Sequence, residues 1–407
     1  MAECIYLLIC GFEFFSPTFF TGFFFLCFFL LLFQYQLSQS LGANVPLPQV
    51  LFDNDKNKLV LQAAVGKSHT LLLMQHDRSI HAVGSNKSGQ CGVSQGTQVQ
   101  KSFKQSSVIA GHGVEFAKLA CGEDFSCALS MDGDLYTTGS SEFGQLGTGE
   151  TGEYFISANK LAFANAYAFE KRTRFVEAAG ESVLLTDKTK LEPIEYDMKF
   201  QDIACGRHHT VLLEAPHMNN DTTPPKVLTW GCGNYGCLGH GQQTDEYYPR
   251  VVTTLPRGLQ MEQVQAGSTC TLVLTAQQGH VYYFGKHKSS SEAKMRPQLV
   301  DELAHNQHVV SHLAAGTATV ACCTNQGSTV VWGQGPVGEL GLSDQKRSSA
   351  KPTFVDTMEG VDVLGLACGQ GSMLFIVDDT SKNTKKLPIV DRAAVEDALE
   401  GISQPLE

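Results

Sequence analysis

Gly66-Lys67-Ser68-His69-Thr70-Leu71-Leu72-Leu73, closed at Val83-Gly84, is one copy of a unit that decides how this chain folds. The unit holds a glycine, three variable residues, a run of apolar or small residues, a turn, and alternating apolar residues ending on a second glycine. It recurs from Gly122 to Gly139, from Gly267 to Gly285 and from Gly316 to Gly333. The two glycines stand 18, 17, 18 and 17 residues apart in these four copies, a register that unrelated glycines would not keep. A fifth copy, from Gly206-Arg207-His208-His209-Thr210 to Trp230-Gly231, spans 25 residues because a polar insertion, Pro216 to Lys226, lengthens its turn. Further starts stand at Gly180 and Gly369.

Each copy reads as a β-hairpin of two short strands, and its leading glycine marks a sharp turn or a close approach of backbones. Four hairpin ends are followed by Gly89-Gln90-Cys91-Gly92, Gly144-Gln145-Leu146-Gly147, Gly236-Cys237-Leu238-Gly239 and Gly338-Glu339-Leu340-Gly341. Paired glycines around one apolar residue suit a compact loop with a buried plug. Tyr248 to Val252, Arg296 to Val300 and Lys351 to Val355 then supply the outer strand of a four-stranded blade. Short hairpins bury their faces only by stacking on one another. Start-to-start intervals of 56, 58, 26, 61, 49 and 53 residues exceed the roughly forty of tryptophan-aspartate repeats. The expected fold is all-β: a seven-bladed β-propeller over residues 43–380, between an apolar leader, 1–42, and a C-terminal tail, 381–407.

Composition narrows the function. A net charge of −11 argues against a nucleic-acid surface, which rests on clustered Lys and Arg. Thirteen cysteines without a Cys-x-x-Cys pair fit a reduced cytosolic or nuclear protein better than a disulfide scaffold or a zinc site, Cys232 and Cys237 included. His69, His208 and His209, two or three residues after a repeat glycine, read as structural hydrogen-bonding groups between blades. Trp230 and Trp332 read as core, and Asp132 and Asp134 as turn residues. Gly231-Cys232-Gly233-Asn234-Tyr235-Gly236 has the spacing of a dinucleotide fingerprint, but a plug loop follows it where a helix would be needed. With no catalytic constellation, cofactor or metal site expected, the chain is not a conventional enzyme.

The leader is unusual. Residues 5–33 carry only Glu13 as a charge, eleven phenylalanines lie between Phe12 and Phe33, and no Lys or Arg precedes Lys56. Its length suits a membrane span, but the positive flank of a signal peptide or anchor is missing. Translated non-coding sequence, a membrane anchor and a signal peptide all stand as readings. A secretory route would make Asn86-Lys87-Ser88 and Asn220-Asp221-Thr222 glycosylation acceptors.

Binding residues are expected on loops longer than a blade requires: Thr148 to Arg174, Pro216 to Lys226 and Gly241 to Arg250. Within them, Asp245, Glu246, Tyr247, Tyr248 and Arg250 mix acid, aromatic and Arg as interface hot spots do, and Lys171, Arg172 and Arg174 form a basic group. Gly66, Gly122, Gly206, Gly267, Gly316 and Gly369, with His69, His208, Trp230 and Trp332, are expected to be structural.

The set Gly206-Arg207-His208-His209-Thr210, Thr229-Trp230-Gly231 and Gly144-Gln145-Leu146-Gly147 resembles the repeats of the regulator-of-chromosome-condensation family, over roughly residues 60–378. Ala120-Cys121-Gly122, Asp245 to Val252 and Lys385-Lys386-Leu387-Pro388 are similar to one mitotic subgroup of it. The resemblance implies a seven-bladed propeller that contacts small GTPases (Rac-, Ral- or Ran-type) through one face, in some members as a guanine-nucleotide exchange factor. It implies work in mitosis and on the cytoskeleton, in nucleus and cytoplasm, and at centromere or spindle during division. Microtubules or chromatin-associated proteins are further implied partners, with no direct DNA binding by the propeller. The alternative is a non-catalytic scaffold at chromosomes, spindle or microtubules, or a membrane-anchored propeller if the leader is genuine. Departures from the family are the Phe-rich leader in place of a basic tail, the absence of a visible closing strand, and the short, plugless Gly180 unit.

Overall fold

Glycine spacing translates directly into blades. In the computed structural model the described residues are 59–387, apart from 110–112, 158–159, 177–193, 196–197, 217–223, 288–291, 306–307, 337, 343–345, 370–371, 378–382 and 385–386. The leader, the Gly180 start, Asn220, Lys385-Lys386, and most of both the Pro216 insertion and the tail lie outside them. Blade 1 is a meander of Val60–Val65, His69–Met74, Ile80–Ser85 and Val99–Gln105. Blade 2 is Phe116–Cys121, Phe125–Ser130, Leu135–Gly139 and Ala166–Arg172, with Val108–Ile109 added in parallel along its outer edge. Blades 3, 4 and 5 begin at Phe200–Cys205, Met261–Ala266 and Val310–Ala315, and end in the outer strands Glu246–Val251, Lys294–Leu299 and Ser348–Phe354. Blade 6 shows two strands, Val363–Cys368 and Met373–Val377. The prolines Pro249, Pro297 and Pro352 all fall in outer strands, where a missing N–H costs no ladder bond.

The blades follow one another in chain order, each pair enclosing an apolar layer. Leu71, Leu73, Phe116 and Phe169 fill the layer between blades 1 and 2, and Phe125, Leu135, Leu212 and Trp230 the layer between blades 2 and 3. Val211, Val264 and Phe284 lie between blades 3 and 4, and Leu272, Leu313 and Trp332 between blades 4 and 5. Blades 2 and 3 touch directly: the Phe200 N–H donates to the Gly133 carbonyl at 2.9 Å, and Phe200 and Ile203 share the apolar layer of Phe125. The described residues hold six units in series.

A bulge interrupts the first strand pair of all six units at the same place, for example between Val60 and Gln62 and between Phe200 and Asp202. In blades 1 to 4 the residue after the bulge reaches the next blade. The Gln62 amide exchanges two hydrogen bonds with the Leu119 backbone, at 2.9 and 2.8 Å. Lys118 is ion-paired to Asp202, whose other oxygen accepts the Val264 N–H at 2.9 Å, and Gln263 donates to the Leu313 carbonyl at 3.3 Å. These side chains form a belt along the innermost strands.

The leading glycines are places of close approach, as expected. A methyl group on Gly206 would lie 2.1 Å from the His209 ring and 2.5 Å from the Gly267 carbonyl oxygen, and Gly66, Gly267 and Gly316 abut the next unit's glycine in the same way. The hairpin-end glycines differ: Gly84, Gly139, Gly231, Gly285 and Gly333 have φ between 93° and 118°, which side chains resist. Asn86 is wholly buried, donating to the Val93 and Thr97 carbonyls and accepting the Cys91 N–H, so the folded protein offers no glycan acceptor there. Among the described residues no helix is long and apolar enough to cross a membrane.

Candidate functional site: the loop-bearing face

In each meander the turn at the leading glycine and the plug loop leave from the same end of the blade, and the hairpin tips from the other. The loop-bearing face therefore gathers Lys67, Glu123, Arg207 and His208 with all four plug loops. The plugs Cys91, Leu146, Leu238 and Leu340 are buried as the paired glycines suggest, and Cys237 is also buried, its thiol donating to the Cys232 carbonyl at 3.1 Å.

The histidines separate into two kinds. His69 Nε2 meets the Ser126 hydroxyl of the next blade at 2.7 Å, and that hydroxyl donates to the Gln90 carbonyl at 2.8 Å. His209 repeats the relay with Thr271 at 3.1 Å, and Thr271 donates to the Cys237 carbonyl at 2.7 Å. Burial pushes both imidazoles down, to about 3 and about 4. Between blades 2 and 3, where Phe125 occupies the histidine position, Trp230 Nε1 donates to the Gln145 carbonyl at 2.8 Å instead. His208 takes no part. Half-buried, it packs on Phe143 of blade 2 with ring centres 4.6 Å apart and lies 3.5 Å from the Glu123 carboxylate. Burial alone would raise Glu123, but hydrogen bonds from Arg207 and Lys67 outweigh it and hold the carboxyl below its usual range.

The residues read as partner-binding are largely occupied within the chain. Asp245 accepts the Gly233 N–H at 2.8 Å, and Glu246 and Arg250 pair at 2.5 Å, both well covered. Tyr247 lies on Gly144 and Tyr248 on Gly149, filling spaces that glycine leaves in the plug loop of blade 2. Lys171 pairs with Asp134 at 2.7 Å, and Arg172 donates to Thr137 at 2.7 Å and Glu170 at 3.1 Å. Arg174 is exposed, in a short strand whose backbone pairs at Glu195. Much of the long segments proves to be outer strand, Ala166–Arg172 in one and Glu246–Val251 in the other.

What the residue pattern did not single out is a ribbon inside the Thr148 to Arg174 segment. Tyr154–Ser157 pairs antiparallel with Lys160–Ala162, Leu161 opposite Phe155 and Ala162 opposite Tyr154. Tyr154, Phe155, Ile156 and Leu161 are 52%, 71%, 56% and 41% exposed. Side chains alternate along a strand, so Tyr154 and Ile156 point to one side and Phe155 with Leu161 to the other. The ribbon is apolar on both faces and buries neither. Its signal in the sequence is Tyr-Phe-Ile between polar turns, an apolar run inside a loop that should be polar. Among the described residues no three His, Cys, Asp or Glu side chains gather as a metal site.

The family model described as RCC1-like domain matches residues 35–375. The chain belongs to the RCC1-like domain family. Protein RCC2 homolog of Xenopus laevis and Protein RCC2 of Homo sapiens are each 31% identical to it, over 83% of this chain and 62% and 60% of their own lengths. That is the subgroup to which the Asp245 to Val252 segment is similar, and the chain spans about three-fifths of those relatives. Among solved structures it resembles human WBSCR16, with a TM-score of 0.59 and 20% identity over 79% of this chain and 73% of that one. It also resembles Prp20p from Saccharomyces cerevisiae, with a TM-score of 0.55 and 18% identity over 84% and 72%. Prp20p was described together with its binding to Gsp1p and histones. For this RCC1-like chain both likenesses establish the propeller fold.

Proposed function

We propose that this RCC1-like propeller engages a small GTPase through its loop-bearing face and favours the nucleotide-free state of that partner. The observation that carries the reading is the ribbon. A strand pair with Tyr154 and Ile156 on one side and Phe155 and Leu161 on the other loses exposed apolar surface on both sides only by entering a cleft. Exchange of this kind needs no nucleophile or base. If the ribbon binds the empty GTPase more tightly than the loaded one by some factor, nucleotide affinity falls by the same factor. Support also comes from the 31% identity to RCC2 and from a fold neighbour, Prp20p, that binds Gsp1p. Action in mitosis, in nucleus and cytoplasm, belongs to the same proposal through the RCC2 relatives.

The test is release of a fluorescent guanine nucleotide from Rac-, Ral- and Ran-type GTPases, with the full chain and with Phe155→Ala and Ile156→Asp. We expect faster release from one of them, lost in both variants. Binding without faster release would make the chain a scaffold, and no binding to any GTPase would end the reading.

A further inference from the structure

We infer that Tyr248, on the outer strand of blade 3, is a positioning residue that fixes the angle at which the blade 2 ribbon stands off the propeller. The inference rests on the reading of the ribbon as the partner contact. The ribbon leaves blade 2 through Thr148 and Gly149, but its foot is held by blade 3. The Gly149 N–H donates to the Tyr247 carbonyl at 2.8 Å, and Gly149 has φ +94° with the Tyr248 ring seated against it. A methyl group there would lie 2.1 Å from Tyr248 Cζ and 2.2 Å from its hydroxyl oxygen. One turn back, Tyr247 covers Gly144 in the same manner.

The rest of the stem is tied within blade 2. The Ser141 hydroxyl donates to the Thr151 carbonyl at 2.7 Å, the Ala164 N–H to the same carbonyl at 3.3 Å, and Ala164 packs on Gly152. Those bonds close the neck of the ribbon; they do not set its direction against the face. That direction is set where the stem meets a second blade, and the contact made there is the Tyr247-Tyr248 pair on Gly144 and Gly149.

The next junction repeats the arrangement without a ribbon. The Gly241 N–H donates to the Met295 carbonyl at 2.8 Å, and the Arg296 guanidinium lies where a Gly241 side chain would be. The seat is thus a repeat device that joins plug loop to neighbour, and in blade 2 it carries an added load. Tyr248, which composition marked as part of a hot spot, acts through the ribbon, since its ring is turned into the stem.

Hydrogen exchange of the amides from Gly149 to Ser157 and affinity for the responsive GTPase test this in the full chain. Tyr248→Ala should speed exchange across the stem and weaken binding, each on the order of tenfold, while Tyr248→Phe keeps both near the parent. Arg296→Ala, at the matching place one blade on, should change neither. Unchanged stem exchange in Tyr248→Ala overturns the inference, as does an equal loss of affinity in Arg296→Ala. If Tyr248→Ala fails to fold, Tyr248→Leu, which keeps the bulk, should show a smaller rise confined to the same amides, and no rise refutes the seat. A parent chain that binds no GTPase ends the proposed function alone, because the exchange comparison still decides the seat.

Discussion

Acid should loosen this propeller before Glu123 and Asp134 titrate, because burial holds several imidazoles down, three of them far below their ordinary value. His69 and His240 are held down to about 3 by burial, and His209 to about 4. In the unfolded chain each returns to its ordinary value near 6.5, so between there and the folded value the unfolded state carries the extra proton. Stability from these groups is therefore complete above about pH 6.5 and is lost as pH falls toward the folded values. The loss runs at about 1.4 kcal/mol per unit for each group, or about 2 kcal/mol each at pH 5. Three such groups sum to about 6 kcal/mol, a large part of the 5–15 kcal/mol that is usual for a folded protein. Glu123 and Asp134 are held below their ordinary values and act only at lower pH. The assay is urea unfolding followed by the fluorescence of Trp230 and Trp332, both buried, at intervals from pH 7.5 to 5. His69→Gln keeps a hydrogen-bonding side chain without the proton and should lose about 2 kcal/mol less over that range than the parent. Equal losses in parent and variant would refute the argument.

Gly206→Ala, which drives a methyl group into His209 and the Gly267 carbonyl, should cost about 3 kcal/mol or more by chemical denaturation. Gly258→Ala, with φ +80° but open space around it, should cost only about 1 kcal/mol. Trp230→Phe leaves the Gln145 carbonyl without its donor and should cost about 2 kcal/mol, read as a lower unfolding midpoint. Phe155→Asp removes an exposed apolar group, so the unfolding free energy should change by no more than about 0.5 kcal/mol while partner binding is lost.

Much of this fold was legible because propeller contacts repeat with the sequence. The leading and closing glycines, the plugs and three outer strands stand where their spacing puts them. The outer strands of blades 1 and 2 were not legible: Val99–Gln105 is exposed along most of its length and carries no apolar alternation. The packing of Phe200 beside Gly133 is a long-range fact that no local pattern encodes. His208 and His209 are neighbours of one type, and only the strand's register decides which of them enters the buried relay to the next blade. The site was less visible still. Tyr247 and Tyr248 have the composition of an interface, but the glycines they cover lie about a hundred residues earlier, a separation that no local pattern encodes.

The plug loops lean in one direction. Those of blades 1, 2 and 3 rest on the outer strands of blades 2, 3 and 4: Gly89 on Ala166, Gly147 on Pro249, Gly236 on Met295. A blade leaving the ribosome thus lacks the shelf for its own loop until 59 to 102 further residues have been made. At ordinary rates of synthesis that delay is roughly 3–20 s for each blade, with a residue such as Leu146 uncovered meanwhile. Maturation of the nascent ring must trail translation by one blade throughout, and a slow stretch of message placed after a plug loop would lengthen the time its leucine is open to chaperones.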